Sequence, residues 1–197
     1  MRLPALSQDT HRHQTDFPPE EFEARRAQIF EAIGDQAFAL VQGAPSTHGF
    51  VVFRQSNQFY YLTGVEVPHA YLLLDGRNET THLFLPHRDE KRERNEGKTL
   101  SAEDADLVKE LTGVDSVLGN GQLSRQLYSL AMRSPALSLY TPWSPAEGRA
   151  QSRDEILSGQ AGMASDPWDG RASKEGHFMQ LLRTRYPQFE IRDLSPI

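Results

Sequence analysis

The chain has no cysteine, and that absence removes disulfide staples, thiolate metal sites and thiol nucleophiles together. Any metal would have to be held by His and carboxylate side chains. A reducing compartment suits such a chain, so a cytoplasmic location is expected. Basic excess is missing as well: Lys and Arg number 21 against 27 Asp and Glu, for a net charge of -6. Binding to nucleic acid rests on neutralising phosphates, which needs the opposite balance, so no nucleic-acid partner is expected. Long apolar runs are also lacking. Segments such as 37–41 and 70–74 fall far short of the roughly 20 residues that span a bilayer, and no membrane partner is expected. The opening MRLPALSQDTHRHQTDF has no sustained apolar stretch of the signal-peptide kind, although a chain already trimmed of a leader would start in the same way.

What is present suits one domain of 197 residues, long enough to bury roughly two-thirds or more of its unfolded surface in one core. Residues 1–16 are polar and unpatterned and read as a flexible head. Phe17-Pro18-Pro19-Glu20-Glu21 then opens a helix, with prolines and acids where a first turn tolerates them. Phe22, Ile29, Phe30 and Ile33 share one face of it, and Gly34 stops it. The compact apolar runs 36–41 and 49–53 predict strands covered on both faces. Residues 70–74 and 80–86 predict two more, joined as a hairpin through Asp75-Gly76-Arg77-Asn78.

The densely charged segment 88–96 predicts an exposed helix supported by the Glu90/Arg94 spacing. Beyond it, Ala105, Leu107, Val108 and Leu111 mark the apolar positions of 102–111, and 114–118 predicts a short strand. A helix at 123–132 and a strand at 136–140 continue an alternation that defines an α/β layer fold. Residues 144–176 break it as a partly helical surface excursion, anchored by Ile156, Leu157, Met163 and Trp168. Phe178, Leu181 and Leu182 give a short helix stopped before Pro187, and Phe189 and Ile191 alternate as a last strand.

No G-x-S-x-G, Walker loop, H-E-x-x-H or dinucleotide glycine signature occurs. His11 and His13 lie in the polar head, His69 follows Pro68 in a turn, and His82 and His87 flank a strand with no carboxylate at a useful spacing. They read as core or rim histidines rather than ligands. Asp89, Glu90 and Glu93 sit among basic residues with no apolar wall to raise a pKa, so they read as a solvated face. No catalytic residue and no metal ligand is assigned. Arg54, directly after a buried-looking strand, reads either as a structural ion pair or as a binder of carboxylate; Tyr60 and Tyr61 read as core and rim.

Two linked stretches remain, FRQSNQFYYLTGVEVPHAYLLL at 53–74 and LFLPHRDEKRERNEGK at 83–98. An aromatic pair before L-T-G, a Glu66-Val67-Pro68-His69-Ala70 turn, an apolar strand, and R-D after a further strand resemble the amino-terminal domain of aminopeptidase P, an arrangement shared with prolidase and creatinase. The resemblance implies a mixed sheet flanked by helices, related to ribonuclease H-like domains, over residues 17–194, with 195–197 beginning a linker. It further implies that catalysis, with two manganese ions held by two Asp, one His and two Glu, belongs to a peptidase domain outside this sequence, and that this chain holds no cofactor.

The partners implied are that catalytic domain, further copies in a homo-oligomer, and the peptide substrate of the parent enzyme. Asn95 stands before Glu96-Gly97 where the family often has a tryptophan that walls a neighbouring subunit's pocket. Asn95 and Arg54 are therefore the substrate-binding candidates, acting in trans. An amide cannot stack on a proline ring as an indole does, which changes the substrate preference expected at that edge. The function expected is a non-catalytic domain serving oligomer assembly and substrate gating. A stand-alone binding module would share the fold, whereas an RNase H-like nuclease would need acids clustered on adjacent strand ends.

Overall fold

A computed structural model describes residues 13–14, 16–46, 52–133, 137–147 and 151–197. Most of the polar head, including His11, and residues 49–51 of one expected strand lie outside them.

The first helix, α1 (Pro19–Ile33), starts on a proline with Glu20 and Glu21 in its first turn and ends at Gly34, whose φ is 72°. β1 (Ala37–Gln42) follows, and α2 (Asn57–Thr63) ends at Gly64 in the left-handed region. β2 (Tyr71–Asp75) and β3 (Thr80–Leu85) form the expected hairpin. Its turn is held by the Asp75 carboxylate, which accepts from the Arg77 N–H at 2.9 Å and the Asn78 side-chain amide at 2.7 Å. α3 (Glu90–Glu96) is N-capped by Asp89, which accepts from two backbone N–H groups. A 3-10 turn (Ala102–Asp104) leads into α4 (Ala105–Thr112) and β4 (Ser116–Gly119), and a second (Asn120–Gln122) into α5 (Leu123–Arg133). β5 (Ser138–Thr141), α6 (Arg153–Ser165), α7 (Lys174–Arg185) and β6 (Glu190–Asp193) complete the order.

The six strands form one sheet in the order β4-β3-β2-β1-β5-β6. β2 is antiparallel to β1 and β3, while the β3–β4, β1–β5 and β5–β6 pairs are parallel. Five strands thus share one direction, and their carboxyl ends lie along one edge. Alternation along the strands divides two cores. Ala39, Val41, Leu72, Leu74, Leu83 and Leu85 face α1, α2 and α4, while Phe38, Leu40, Leu73, Phe84 and Leu139 face α5 and α7. Both faces are covered, which is why β1 reads as an unbroken apolar run. No described helix is long and apolar enough to cross a membrane.

Several expectations shift. Val52 and Phe53 belong to no strand, and Val52 is 64% exposed; an apolar pair without backbone pairing does not make a strand. The strand expected at 114–118 starts at Ser116, because Val114 is still leaving α4 through Gly113. Trp168 and Leu157 are exposed rather than anchors, at 95% and 38%, whereas Tyr61 takes the rim position expected for the tyrosine pair, with the guanidinium of Arg25 4.4 Å from its ring centroid.

Charge inside the α1 stripe was not foreseen. Arg26, one helical turn on from Phe22, is buried and donates to the carbonyls of Leu62, Thr112 and Gly113, each at 2.9 Å. These carbonyls close two identical stops, Leu62-Thr63-Gly64-Val65 on α2 and Leu111-Thr112-Gly113-Val114 on α4. In each, the Thr hydroxyl donates to the carbonyl four residues back, at 2.8 Å for Thr63 and 2.7 Å for Thr112, and the glycine turns left-handed. Burial pulls Arg26 down to about 10, with Glu23 and Asp115 opposing the shift, so it stays charged at neutral pH. Replacing it with an apolar side chain of similar length leaves buried acceptors without donors, each costing ~1–3 kcal/mol. Arg26→Met is expected to destabilise the domain by about 3 kcal/mol or more in urea unfolding. A loss below about 1 kcal/mol would mean that the clamp is dispensable.

Candidate functional site

β1 is the strand at which the chain switches sides: β2 lies on one flank and β5, reached much later, on the other. In open α/β sheets the crevice outside the carboxyl ends of the strands at such a point is where ligands bind. A cleft of about 310 Å3 opens there, between the ends of β1 and β5 and the helices α6 and α7.

Its first wall is built by Gln55. That buried side chain donates to the carbonyl of Val67 at 2.9 Å and accepts from the N–H groups of Ala44 and Ser56, fixing the segment after β1 against the approach to α2. Gly43 allows the close contact, since a Cβ there would sit 2.9 Å from the Ala70 carbonyl and 3.0 Å from Gln55 Nε2. The opposite wall is the proline-rich exit of β5. The Trp143 and Ser144 N–H groups donate to Ser195 Oγ, and the Asn57 N–H donates to the Glu147 carbonyl at 3.0 Å. α6, capped by a reciprocal Ser152/Glu155 pair, buries none of its residues and borders the cleft through Ile156 and Gln160.

Within these walls stand Arg54, Thr141, Lys174 and Glu175. Lys174 is an exposed residue whose ammonium donates to the Gly43 carbonyl at 3.0 Å. Burial of that end lowers its pKa, while Glu175 acts to raise it. Thr141 Oγ1 and Glu175 Oε2 are buried, and neither has a hydrogen-bond partner among the described residues.

Of the two substrate-binding candidates, Arg54 borders this cleft, its side chain 66% exposed and paired with Glu66 at 3.2 Å. That pair is the structural contact foreseen for it, at the mouth of a cavity that was not foreseen. Asn95 is exposed on α3. It does not border the cleft, although α3 follows β3 and so stands at the same edge of the sheet. No motif marks the cleft in the sequence, because its lining comes from five separated segments. One legible signal was a lysine-glutamate pair opening α7 after Ser173, the helix cap.

The histidines separate by surroundings. His87 does find a carboxylate: its Nδ1 lies 2.6 Å from Glu103, which the His87 hydrogen bond and the Arg88 N–H hold down to about 2. Fifteen intervening residues hid that partner. His82 lies within 2.6 Å of Ser116 Oγ across the β3–β4 pair, and burial lowers its pKa against the opposing charges of Asp75 and Asp115. Among the described residues no group of three or more His, Asp or Glu side chains gathers to hold a metal ion, so the residues present do not fit a manganese pair.

The architecture defines a mixed α/β domain with a cleft at its switch strand. A sequence profile described as aminopeptidase P, N-terminal domain, matches residues 22–140, more than half of the chain, and the chain belongs to that family. It is similar to Xaa-Pro aminopeptidase of Escherichia coli K12, 32% identical over 118 residues, covering 56% of this chain and 26% of that protein. It is also similar to intermediate cleaving peptidase 55 of Schizosaccharomyces pombe, 28% identical over 58% of this chain and 25% of that one. The chain thus spans about a quarter of the length of these relatives.

Among solved structures, E. coli aminopeptidase P with the inhibitor Pro-Leu superposes with a TM-score of 0.55 and 26% identity, over 77% of this chain and 34% of that one. A Bacillus anthracis protein provisionally described as an aminopeptidase P superposes with a TM-score of 0.68 over 91% of this chain and 39% of that one; at 19% identity it speaks for the fold alone.

The tight approach at Gly43 makes the cleft wall sensitive to a single methyl group. Gly43→Ala is expected to cost about 1–3 kcal/mol through the forced shift of backbone against Gln55. For a domain of this size that lowers Tm by roughly 2–4 °C per kcal/mol in a thermal melt. An unchanged Tm would show that the wall yields freely.

Proposed function

We propose that this chain acts, over residues 17–194, as the non-catalytic amino-terminal domain of a metal-dependent Xaa-Pro aminopeptidase-like peptidase, contributing to oligomer assembly and to substrate gating in a cytoplasmic setting. The catalytic step, with its two manganese ions, belongs in this reading to a separate peptidase domain; residues 144–176 form a surface excursion and 195–197 lead toward that domain. The observation that carries the gating part is the position of Asn95, exposed on a short charged helix directly after Arg88-Asp89. A side chain so placed can meet a neighbouring subunit without rearrangement of the domain that bears it. Support for the peptide substrate comes from family membership and from the names of the relatives.

Arg54 enters the same reading as a second polar group at the carboxyl edge. Its single-sided ion pair with Glu66 is solvent-screened, so the guanidinium can exchange that partner for a substrate carboxylate at little cost.

Incubated alone with manganese and a peptide beginning Xaa-Pro, the purified chain is expected to release no amino acid; metal-dependent release would overturn its assignment as a non-catalytic domain. Asn95→Trp tests gating. Because the position is exposed, unfolding free energy should move by no more than about 0.5 kcal/mol. In the peptidase carrying this domain, KM or peptide selectivity should change. A variant that unfolds the domain, or that leaves KM and selectivity untouched, would end the gating role.

A further inference from the structure

We propose that the cleft at the ends of β1 and β5 binds a small zwitterion, an α-amino acid or a dipeptide, with its ammonium on Glu175 and its carboxylate on Lys174 and Arg54. Nothing in this depends on assembly or gating, and it concerns a site within this chain.

The starting observation is incompleteness. Thr141 is 1% exposed and its Oγ1 finds no partner among the described residues, although buried hydroxyls are ordinarily paired. Glu175 Oε2 is in the same position, a buried carboxylate oxygen to which no described residue donates. Both residues line one cavity, so a side-chain rotation at either can turn its unpaired oxygen toward a ligand held there. Lys174 adds donors to that space: its ammonium has three hydrogens, and the contact to the Gly43 carbonyl uses one. Arg54 stands at the mouth, held by Glu66 through Nη1.

The signs of these charges choose the ligand. A simple anion would meet Glu175, and a simple cation would meet Lys174 and Arg54. A molecule with an ammonium and a carboxylate a few bonds apart satisfies both ends. The Thr141 hydroxyl, able to donate and accept, then completes either one.

The remaining lining fits what lies between two such ends. Gln42, Gln58 and Gln160 offer amides that match the N–H and C=O of a peptide bond, while Pro142, Ile156 and Phe178 supply an apolar wall for a side chain. A volume of about 310 Å3 sits at the small end of ligand pockets and matches a ligand of amino-acid or dipeptide size. α6 forms one side of the cleft without burying any residue of its own, so entry does not require breaking a packed core.

Isothermal titration of the 197-residue chain with alanylalanine, its N-acetyl form, its C-terminal amide and free alanine tests the site. Binding of alanylalanine or of alanine is expected, and comparison of the two decides which size the cleft takes. Capping either end should weaken binding by about 10-fold or more, the loss of one charge-assisted contact. Glu175→Gln should reproduce the effect of acetylation and make acetylation of the ligand nearly indifferent. Thr141→Val should weaken binding while raising the Tm of the ligand-free chain, because it removes an unpaired buried hydroxyl; a merely structural threonine would lower Tm instead. No saturable binding up to about 10 mM, weaker than the millimolar range of the loosest specific sites, would overturn the proposal. So would equal binding of free and capped ligands, or insensitivity to Glu175→Gln.

Discussion

The buried guanidinium of Arg26 is the contact on which the packing of one whole layer depends. Helix carbonyls at a C-terminus have no intrahelical partner and are normally left to water or to a cap. Here two helices end inside the protein and point those carbonyls at the same place. One planar cation with five donors can serve three acceptors at once, which an ammonium on a flexible stem does less well. The two Leu-Thr-Gly-Val stops make the convergence possible. Each threonine bonds back into its own helix, and each glycine reverses the chain at once, so the next valine is delivered straight to the core. At Gly64 no other residue serves, because a Cβ would sit 2.6 Å from the ring of Phe22 in addition to the left-handed φ.

With that layer fixed, the sheet is covered by α1, α2 and α4 on one side and by α5 and α7 on the other, and its chemistry is displaced to the edge. Five parallel strands send their exits the same way, so the segments after β1, β3, β4, β5 and β6 share that edge. Backbone leaving a parallel strand cannot pair with its neighbour as a hairpin does. The exits are secured by side chains instead: Gln55 after β1, Asp104 and Glu103 around the exit of β3, and Ser195 for the exit of β5. Polar side chains used in this way leave polar groups near the edge that are only partly satisfied, as at Thr141 and Glu175.

Most of the fold was legible because it is written in local periods. Phe22, Ile29 and Ile33 mark a helix face, the two-sided apolar run at β1 marks a central strand, and Asp75-Gly76 marks a hairpin, each within a dozen residues. The aromatic-Leu-Thr-Gly and Arg-Asp stretches carried the family. Arg26 was illegible because a charge in an apolar stripe finds its partners 36, 86 and 87 residues away. The second Leu-Thr-Gly-Val was available as a signal, being an exact copy of the first. The pair His87–Glu103 and the whole cleft were illegible for the same reason as Arg26, since contacts between separated segments leave no spacing to read. Arg54 was legible as an ion-pairing residue, but its place at the mouth of a cavity depends on Thr141 and Lys174, which the chain reaches only much later.

The common edge also bears on how the two candidate regions relate. α3, with Asn95, leaves the sheet after β3, two strands away from β1, whose exit forms the cleft wall. Strands lie about 4.8 Å apart, so the exits of β3 and β1 are separated by roughly 10 Å, and helix α3 extends by about that length again. The lone antiparallel strand enforces the arrangement: were β2 parallel to its neighbours, β3 could still exit at this edge, but the short hairpin between Asp75 and Thr80 would be replaced by a crossover helix lying over the sheet. The tight turn at Asp75 therefore does more than join two strands, because it keeps β3, and with it the start of α3, two strands from the strand whose exit forms the cleft wall.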